Sequence, residues 1–221
     1  MTNLRCNFLK YGVYLVMKEG KIMKRKCWCG SQLDYHDCHE AFDKKLKQYK
    51  KHGYLIPNHK MIKNEKQIEA IKRAAVVNNG LLDYIEEHIQ IGMTTQDIDD
   101  MAVAYTSSHG GYSADLNYEG YPKSICTSVN DEVCHGIPGD YVLQDGDIIN
   151  VDATTGVNGY YADASRMFML GNVSEEAQRL VKVTKECLEE GMKAVKPWES
   201  TIADIGTAIE KHAHANGYSV V

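Results

Sequence analysis

Ile148-Ile149-Asn150-Val151-Asp152-Ala153-Thr154-Thr155-Gly156-Val157, then Asn158-Gly159, then Tyr160-Tyr161-Ala162-Asp163-Ala164-Ser165-Arg166-Met167-Phe168 is the stretch that decides the architecture. Two β-rich runs flank an Asn-Gly pair. A two-residue type I′ turn selects that pair because both of its central residues need positive φ. A hairpin closed there sets Thr154 opposite Asp163 and Asp152 opposite Ser165. Asp152 and Asp163 become diagonal neighbours on one face, with Cα atoms about 7–8 Å apart. Two carboxylates so placed lose hydration and repel, so the pattern asks for something positive between them. The plain alternative is an aspartate at a strand end that meets solvent or a lysine.

Working outward, 221 residues with 43% hydrophobic content suit one large domain, or one domain and an appendage. A net charge of −5 gives no electrostatic case for nucleic-acid binding. No apolar run reaches the roughly 18 residues of a membrane span. The mildly apolar start (Phe8, Leu9, Tyr11 to Val16) is short, flanked by Lys10, Lys18 and Glu19, and lacks a small-residue cleavage pattern, against a signal peptide. Residues 1–22 therefore read as an unstructured leader, with Met23 a more convincing beginning. Seven cysteines, an odd and clustered set, fit a reducing cytoplasm better than a disulfide scaffold.

Residues 23–40 read as a zinc knuckle. Cys27-Trp28-Cys29-Gly30-Ser31 puts two thiols around a tight turn, and Cys38-His39 returns two more ligands after a short loop. Three thiolates and one imidazole form a closed tetrahedral set for structural zinc, with His36 the competing fourth ligand. So short a segment has little apolar surface, and metal supplies the missing folding free energy. The same stretch, with Gly30-Ser31 and Tyr35, resembles the SEC-C motif, and the resemblance implies a docking role toward a ribosome or protein partner. Residues 41–62 form a basic helix and linker, with a helix from Glu40 to Lys51. Its lysines read as a solvated face, with ribosomal RNA as the competing contact.

Residues 63–221 form the main domain. Asn64-x-x-Gln67 opens a helix whose apolar positions include Ile68, Ile71, Ala75, Leu82 and Ile85; Thr94-x-x-Asp97 opens a second that stops at Gly110-Gly111-Tyr112. Ser174 opens a third, and Ser200 or Thr201 a fourth that stops at Asn216-Gly217-Tyr218. Asp97-Ile98 and Asp204-Ile205 echo each other, which points to an internal duplication. The first helix pair is followed by strands and the second is not, so the expectation is a second half cut short at Val221.

Tyr118-Glu119-Gly120-Tyr121-Pro122-Lys123-Ser124-Ile125-Cys126, Asn130-Asp131-Glu132-Val133-Cys134-His135-Gly136-Ile137-Pro138, Asp145-Gly146-Asp147-Ile148-Ile149-Asn150-Val151-Asp152 and Tyr161-Ala162-Asp163-Ala164-Ser165-Arg166 together resemble type I methionine aminopeptidase. The resemblance implies an α+β "pita-bread" fold of two duplicated halves, with a monomer when complete. It implies two divalent ions (cobalt, manganese, iron or zinc) held by five ligands. Asp152 and Asp163 match two of them; a His and two Glu are expected beyond Val221, so this piece alone would be inactive. His135 matches the histidine near the scissile amide, and Tyr118, Tyr121 and Cys126 match residues that line the methionine pocket. By residue type alone, a lone loop histidine is more often structural, and Tyr118, Tyr121 and Cys126 suit an ordinary core as well as a pocket wall. Asp115 and Asn117 depart from the family pattern, and no binding role is carried onto either. The implied reaction removes the first methionine from nascent chains, with a small second residue preferred. Two readings compete: a proline-specific peptidase of the same fold, disfavoured by the short segment ahead of the main domain, and a non-catalytic adaptor docking through its knuckle.

Overall fold

The computed structural model describes residues 25–221; the leader expected over 1–22 and the first two residues of the knuckle segment lie outside the described residues. Among the described residues, no helix is long and apolar enough to cross a membrane. The chain divides into two units, Met1–Glu65 and Lys66–Val221.

In the first unit a tight turn at Gly30 (φ 79°) leads into a short helix α1 (Tyr35–Cys38), followed at once by α2 (Glu40–Lys51). Asp34 caps α1 by accepting from the His36 backbone N–H at 2.9 Å. Among its described residues Cys27 and Leu46 are the buried apolar side chains, and a buried carboxylate does part of the organising. Asp43 on α2 accepts from Tyr35 Oη (2.7 Å), His59 Nε2 (3.1 Å) and Trp28 Nε1 (3.2 Å). Burial works against its charge, but these bonds outweigh it and hold the carboxyl below its usual range. Trp28 also stacks on His59, with centroids 4.0 Å apart.

The second unit is built on β3 (Ile148–Val157) and β4 (Tyr160–Met169), paired antiparallel along their whole length. Asn158 (φ 51°) and Gly159 (φ 79°) form the turn, both with the positive φ that type I′ demands. The register is the one that turn dictates, with Thr154 opposite Asp163 and Asp152 opposite Ser165. The other edge of β3 is shared end to end by β1 (Tyr112–Ser113), at Thr155 and Gly156, and β2 (Cys126–Val129), from Ile149 to Asp152.

Burial alternates along β3. Ile149, Val151, Ala153 and Thr155 are buried, while Asn150, Asp152 and Thr154 are half-buried on the opposite face. The buried face is covered by α3 (Glu65–His88) and α4 (Thr95–Ser108), whose Leu81, Leu82, Ile85, Ile98 and Ala102 share one core with Ile125, Ile149, Val151 and Phe168. Each such side chain contributes about 1.5–3 kcal/mol by leaving water. The inner face of α3 runs through Ala70, Ala74, Asn78, Leu81, Leu82 and Ile85, not through the Ile68 and Ala75 of the periodicity reading; Ile68 is exposed. Asn78 sits in this stripe because its Oδ1 accepts from Thr155 Oγ1 at 2.7 Å, joining helix to sheet inside the core.

Helices α5 (Glu175–Lys193) and α6 (Ile202–Ala215) pack on each other around Val183, Cys187 and Ala213. Gly191 lets Ile205 and Ile209 approach α5; a Cβ there would lie 3.0 Å from the Ile209 side chain. The sequence echo has a structural counterpart. The Asp97 carboxylate accepts from both the backbone N and the hydroxyl of Thr94 (2.7 Å each), and Asp204 does the same to Thr201 (2.6 and 2.8 Å).

Thr155→Val leaves the Asn78 Oδ1 buried without its donor and is expected to cost about 1–3 kcal/mol in urea unfolding, whereas Thr155→Val with Asn78→Leu should recover most of that loss.

Candidate metal centres

The first centre is assembled by the turn at Gly30 and the start of α2. Sγ of Cys27, Cys29 and Cys38 and one nitrogen of His39 all lie within 4.8 Å of one another. His39 Nδ1 is 3.2 Å from Cys27 Sγ and 3.0 Å from Cys38 Sγ, and Cys29 Sγ is 3.7 Å from Cys38 Sγ. A tetrahedral ion with bonds of about 2.3 Å sets its sulfurs about 3.8 Å apart, so this donor set fits a soft cation. His36, the competing ligand, points to solvent toward Asp37 and Glu40. Hydrogen bonding from Ser31 draws the Cys29 thiol down to about 6, while burial pushes Cys27 up. A bound cation would complete the ionisation that Cys29 already favours.

The second centre lies on the half-buried face of the β3–β4 hairpin. Asp152, half-buried on β3, and Asp163, exposed on β4, project from that face as diagonal neighbours. Burial raises the Asp152 carboxyl above its ordinary range, and the charges of Asp163 and Asp115 raise it further. The folded chain then binds a proton more readily than the unfolded one. Without a cation, the fold therefore loses stability as pH rises from the ordinary carboxylate range through the raised value. Positive charge between the carboxylates removes that penalty.

Asp115 is a third carboxylate at the same place, and it was given no role from sequence. Strand β1 ends just before it, and Ala114 N donates to Thr154 O at 2.8 Å. Asp115 Oδ2 then accepts from Thr154 N at 2.9 Å, so a side chain continues the ladder in the gap between β1 and β2. Burial again raises this carboxyl. Among the described residues, the knuckle set is the one cluster of three or more ligand atoms tight enough for a single ion, so Asp115 does not complete a compact trio with Asp152 and Asp163.

The residues around the pair are positioned by backbone anchors. Cys126 opens β2 directly opposite Asp152. The start of β2 is held by Asp99 of α4, whose Oδ1 accepts from Ser124 N (2.8 Å) and Ile125 N (3.2 Å). The Tyr121 hydroxyl lies 3.0 Å from the carbonyls of both Ile125 and Gly136, tying β2 to the loop that carries His135. Gly136 sits against Thr127 O so closely that no Cβ would fit. Its neighbour His135 is exposed, with φ 55°, a conformation that histidine tolerates better than most residues. The His135 side chain is near enough to Asp115 and Asp152 to act on both, lowering each carboxyl against the stronger effect of burial. Tyr118 is 67% exposed, in a turn at Tyr118–Gly120. Asp147 closes the base of the loop: it accepts from Gln144 N (2.8 Å), Tyr141 Oη (3.0 Å) and Asn130 Nδ2 (2.8 Å). Asp99 and Asp147 were not singled out from sequence; a buried Asp at the apolar face of α4 was the one available signal.

Comparison with known proteins agrees with this geometry. The SEC-C motif matches residues 25–41. Methionine aminopeptidase A of Synechocystis is 50% identical over 159 residues, 72% of this chain and 62% of that protein. A methionine aminopeptidase of Chlamydia trachomatis is 38% identical over 208 residues, 90% of this chain and 70% of that protein. The crystal structure of the Rickettsia prowazekii methionine aminopeptidase superposes with a TM-score of 0.71 at 41% identity, covering 72% of this chain and 64% of that one. A prolidase from Pyrococcus furiosus shares the fold at 19% identity, with a TM-score of 0.63. The chain spans 62% and 61% of the Synechocystis and Rickettsia relatives. Metallopeptidase family M24 matches residues 69–221, which hold the whole hairpin and all but the first turn of the two helix pairs, and this chain belongs to that family.

Proposed function

We propose that the M24 unit takes part in metal-dependent hydrolysis of the first peptide bond of nascent polypeptides that begin with methionine, with a small second residue preferred. The observation that carries the reading is the hairpin register, which sets Asp152 and Asp163 on one face of a chain 50% identical to a methionine aminopeptidase over 159 residues. In this reading Asp152 and Asp163 are two ligands of a dinuclear site for cobalt, manganese, iron(II) or zinc. Such ions, when bound, supply Lewis-acid activation of water and of the scissile carbonyl. The chain's own groups do the rest. His135 hydrogen-bonds the scissile amide and handles its proton. Cys126, half-buried opposite Asp152, and Tyr121 form the wall for the first side chain, where sulfur and aromatic surface suit a flexible thioether, and the exposed Tyr118 closes over it. The free amino terminus faces the carboxylate pair, which restricts the reaction to chain ends. The setting is cytoplasmic, where newly made chains appear.

For the first unit we propose structural zinc on Cys27, Cys29, Cys38 and His39, closed to substrate, with the knuckle acting as a docking element. The sulfur and nitrogen spacings described above support that metal.

Two experiments test these readings. A chimera of the Synechocystis relative, with residues 63–221 in place of the matching segment, should release methionine from a Met-Ala peptide, and Asp163→Ala should reduce turnover to background; retained turnover would contradict the ligand assignment. The chain purified without chelator should carry about one tightly held zinc per molecule, lost in Cys38→Ser with a change in Trp28 fluorescence. A Cys38→Ser protein with unchanged zinc would remove the knuckle site.

A further inference from the structure

The charge of the chain is sharply divided. Residues 25–65 carry nine Lys and Arg against five Asp and Glu, whereas residues 66–221 carry 11 against 24. The net value of −5 conceals this. Within the first unit the positive charge is concentrated on α2, outside the matched SEC-C residues 25–41. Asp43 and Leu46 mark the buried side of that helix. Lys44, Lys47 and Lys51 follow one another at i, i+3 and i+7 along one flank of that side, and all are exposed. Over about 10.5 Å of helix they form a single basic stripe, flanked by exposed Lys50. Glu40 lies 3.3 Å from Lys44, but Lys47, Lys50 and Lys51 form no ion pair among the described residues.

We propose that this stripe docks the protein on folded RNA through phosphodiester contacts. Several lysines spaced along one straight helix neutralise successive phosphates without reading sequence. A bilayer fits less well. A helix that lies in a membrane interface embeds a free apolar face, and that face of α2 is spent inward: Leu46 is buried and Phe42 packs edge-on against His39. Residues 66–221 are acidic and repel the same polymer, so within the given sequence the basic stripe is the part suited to it. His39 is both a knuckle donor and the residue from which α2 starts, so metal binding fixes the origin of the stripe. Among polyanions, RNA is chosen on the nascent-chain reading, since free amino termini of new chains emerge at an RNA-rich particle. The measurement needs no peptide, so loss of the peptidase reading and loss of this proposal are separable.

Fluorescence anisotropy of the whole zinc-loaded chain with a labelled RNA hairpin tests it. Binding should weaken with salt at a slope of about −2 to −3 in log–log form, the release expected for roughly three phosphates. Lys47→Glu with Lys51→Glu should weaken binding by about tenfold or more. The milder pair Lys47→Gln with Lys51→Gln should do so less, with unchanged zinc content and circular dichroism. Lys182→Glu with Lys185→Glu on α5 should leave binding unchanged. Equal loss in the α5 variant, no loss in the α2 variants, or tighter binding to phosphatidylserine vesicles or polyglutamate than to RNA would overturn the proposal.

Discussion

Electrostatic repulsion across a hairpin is the constraint on which this structure turns. Asn158 and Gly159 close β3 onto β4 without slack, and the register then leaves no choice about where Asp152 and Asp163 go. A slip of one residue would carry one set of side chains to the opposite face. The two carboxylates share one face, Asp152 half-buried and Asp163 exposed, and a third, Asp115, is held beside them by Thr154 N. Folding alone does not make that concentration of negative charge comfortable. On the proposed reading cations relieve it, before any substrate is considered.

Carboxylates also do much of the framing in this protein, in a different electrostatic role. Asp99, Asp147, Asp97 and Asp204 accept hydrogen bonds from backbone N–H groups or neighbouring hydroxyls. A carboxylate so solvated by the protein is stable without a metal. Asp152 has no comparable set and is raised by burial and its neighbours instead. That contrast separates the framing aspartates from those available to a ligand. In the knuckle, Asp43 plays the framing part and the thiols the available one.

Local chemistry was legible in the sequence. The Asn-Gly turn, the Thr94–Asp97 lock and the Cys27, Cys29, Cys38, His39 set each depend on residues close in the chain, or on turn geometry with a strong residue preference. Long-range contacts were not. Asp115 meets Thr154 across 39 residues and Asn78 meets Thr155 across 77, and no periodicity signals either. The inner face of α3 was displaced for a related reason. Apolar periodicity favours large residues such as Ile68, but close packing selects small ones, and Ala70 and Ala74 are the ones buried. Net charge is likewise an average, and it merges a basic unit with an acidic one.

Anomalous diffraction from crystals of the chain grown with manganese tests the central claim most directly. The account predicts density on the open face of the hairpin, within about 2.0–2.2 Å of carboxylate oxygens from both Asp152 and Asp163. Manganese held by one of these aspartates alone, or bound elsewhere while both carboxylates turn to solvent, would contradict it.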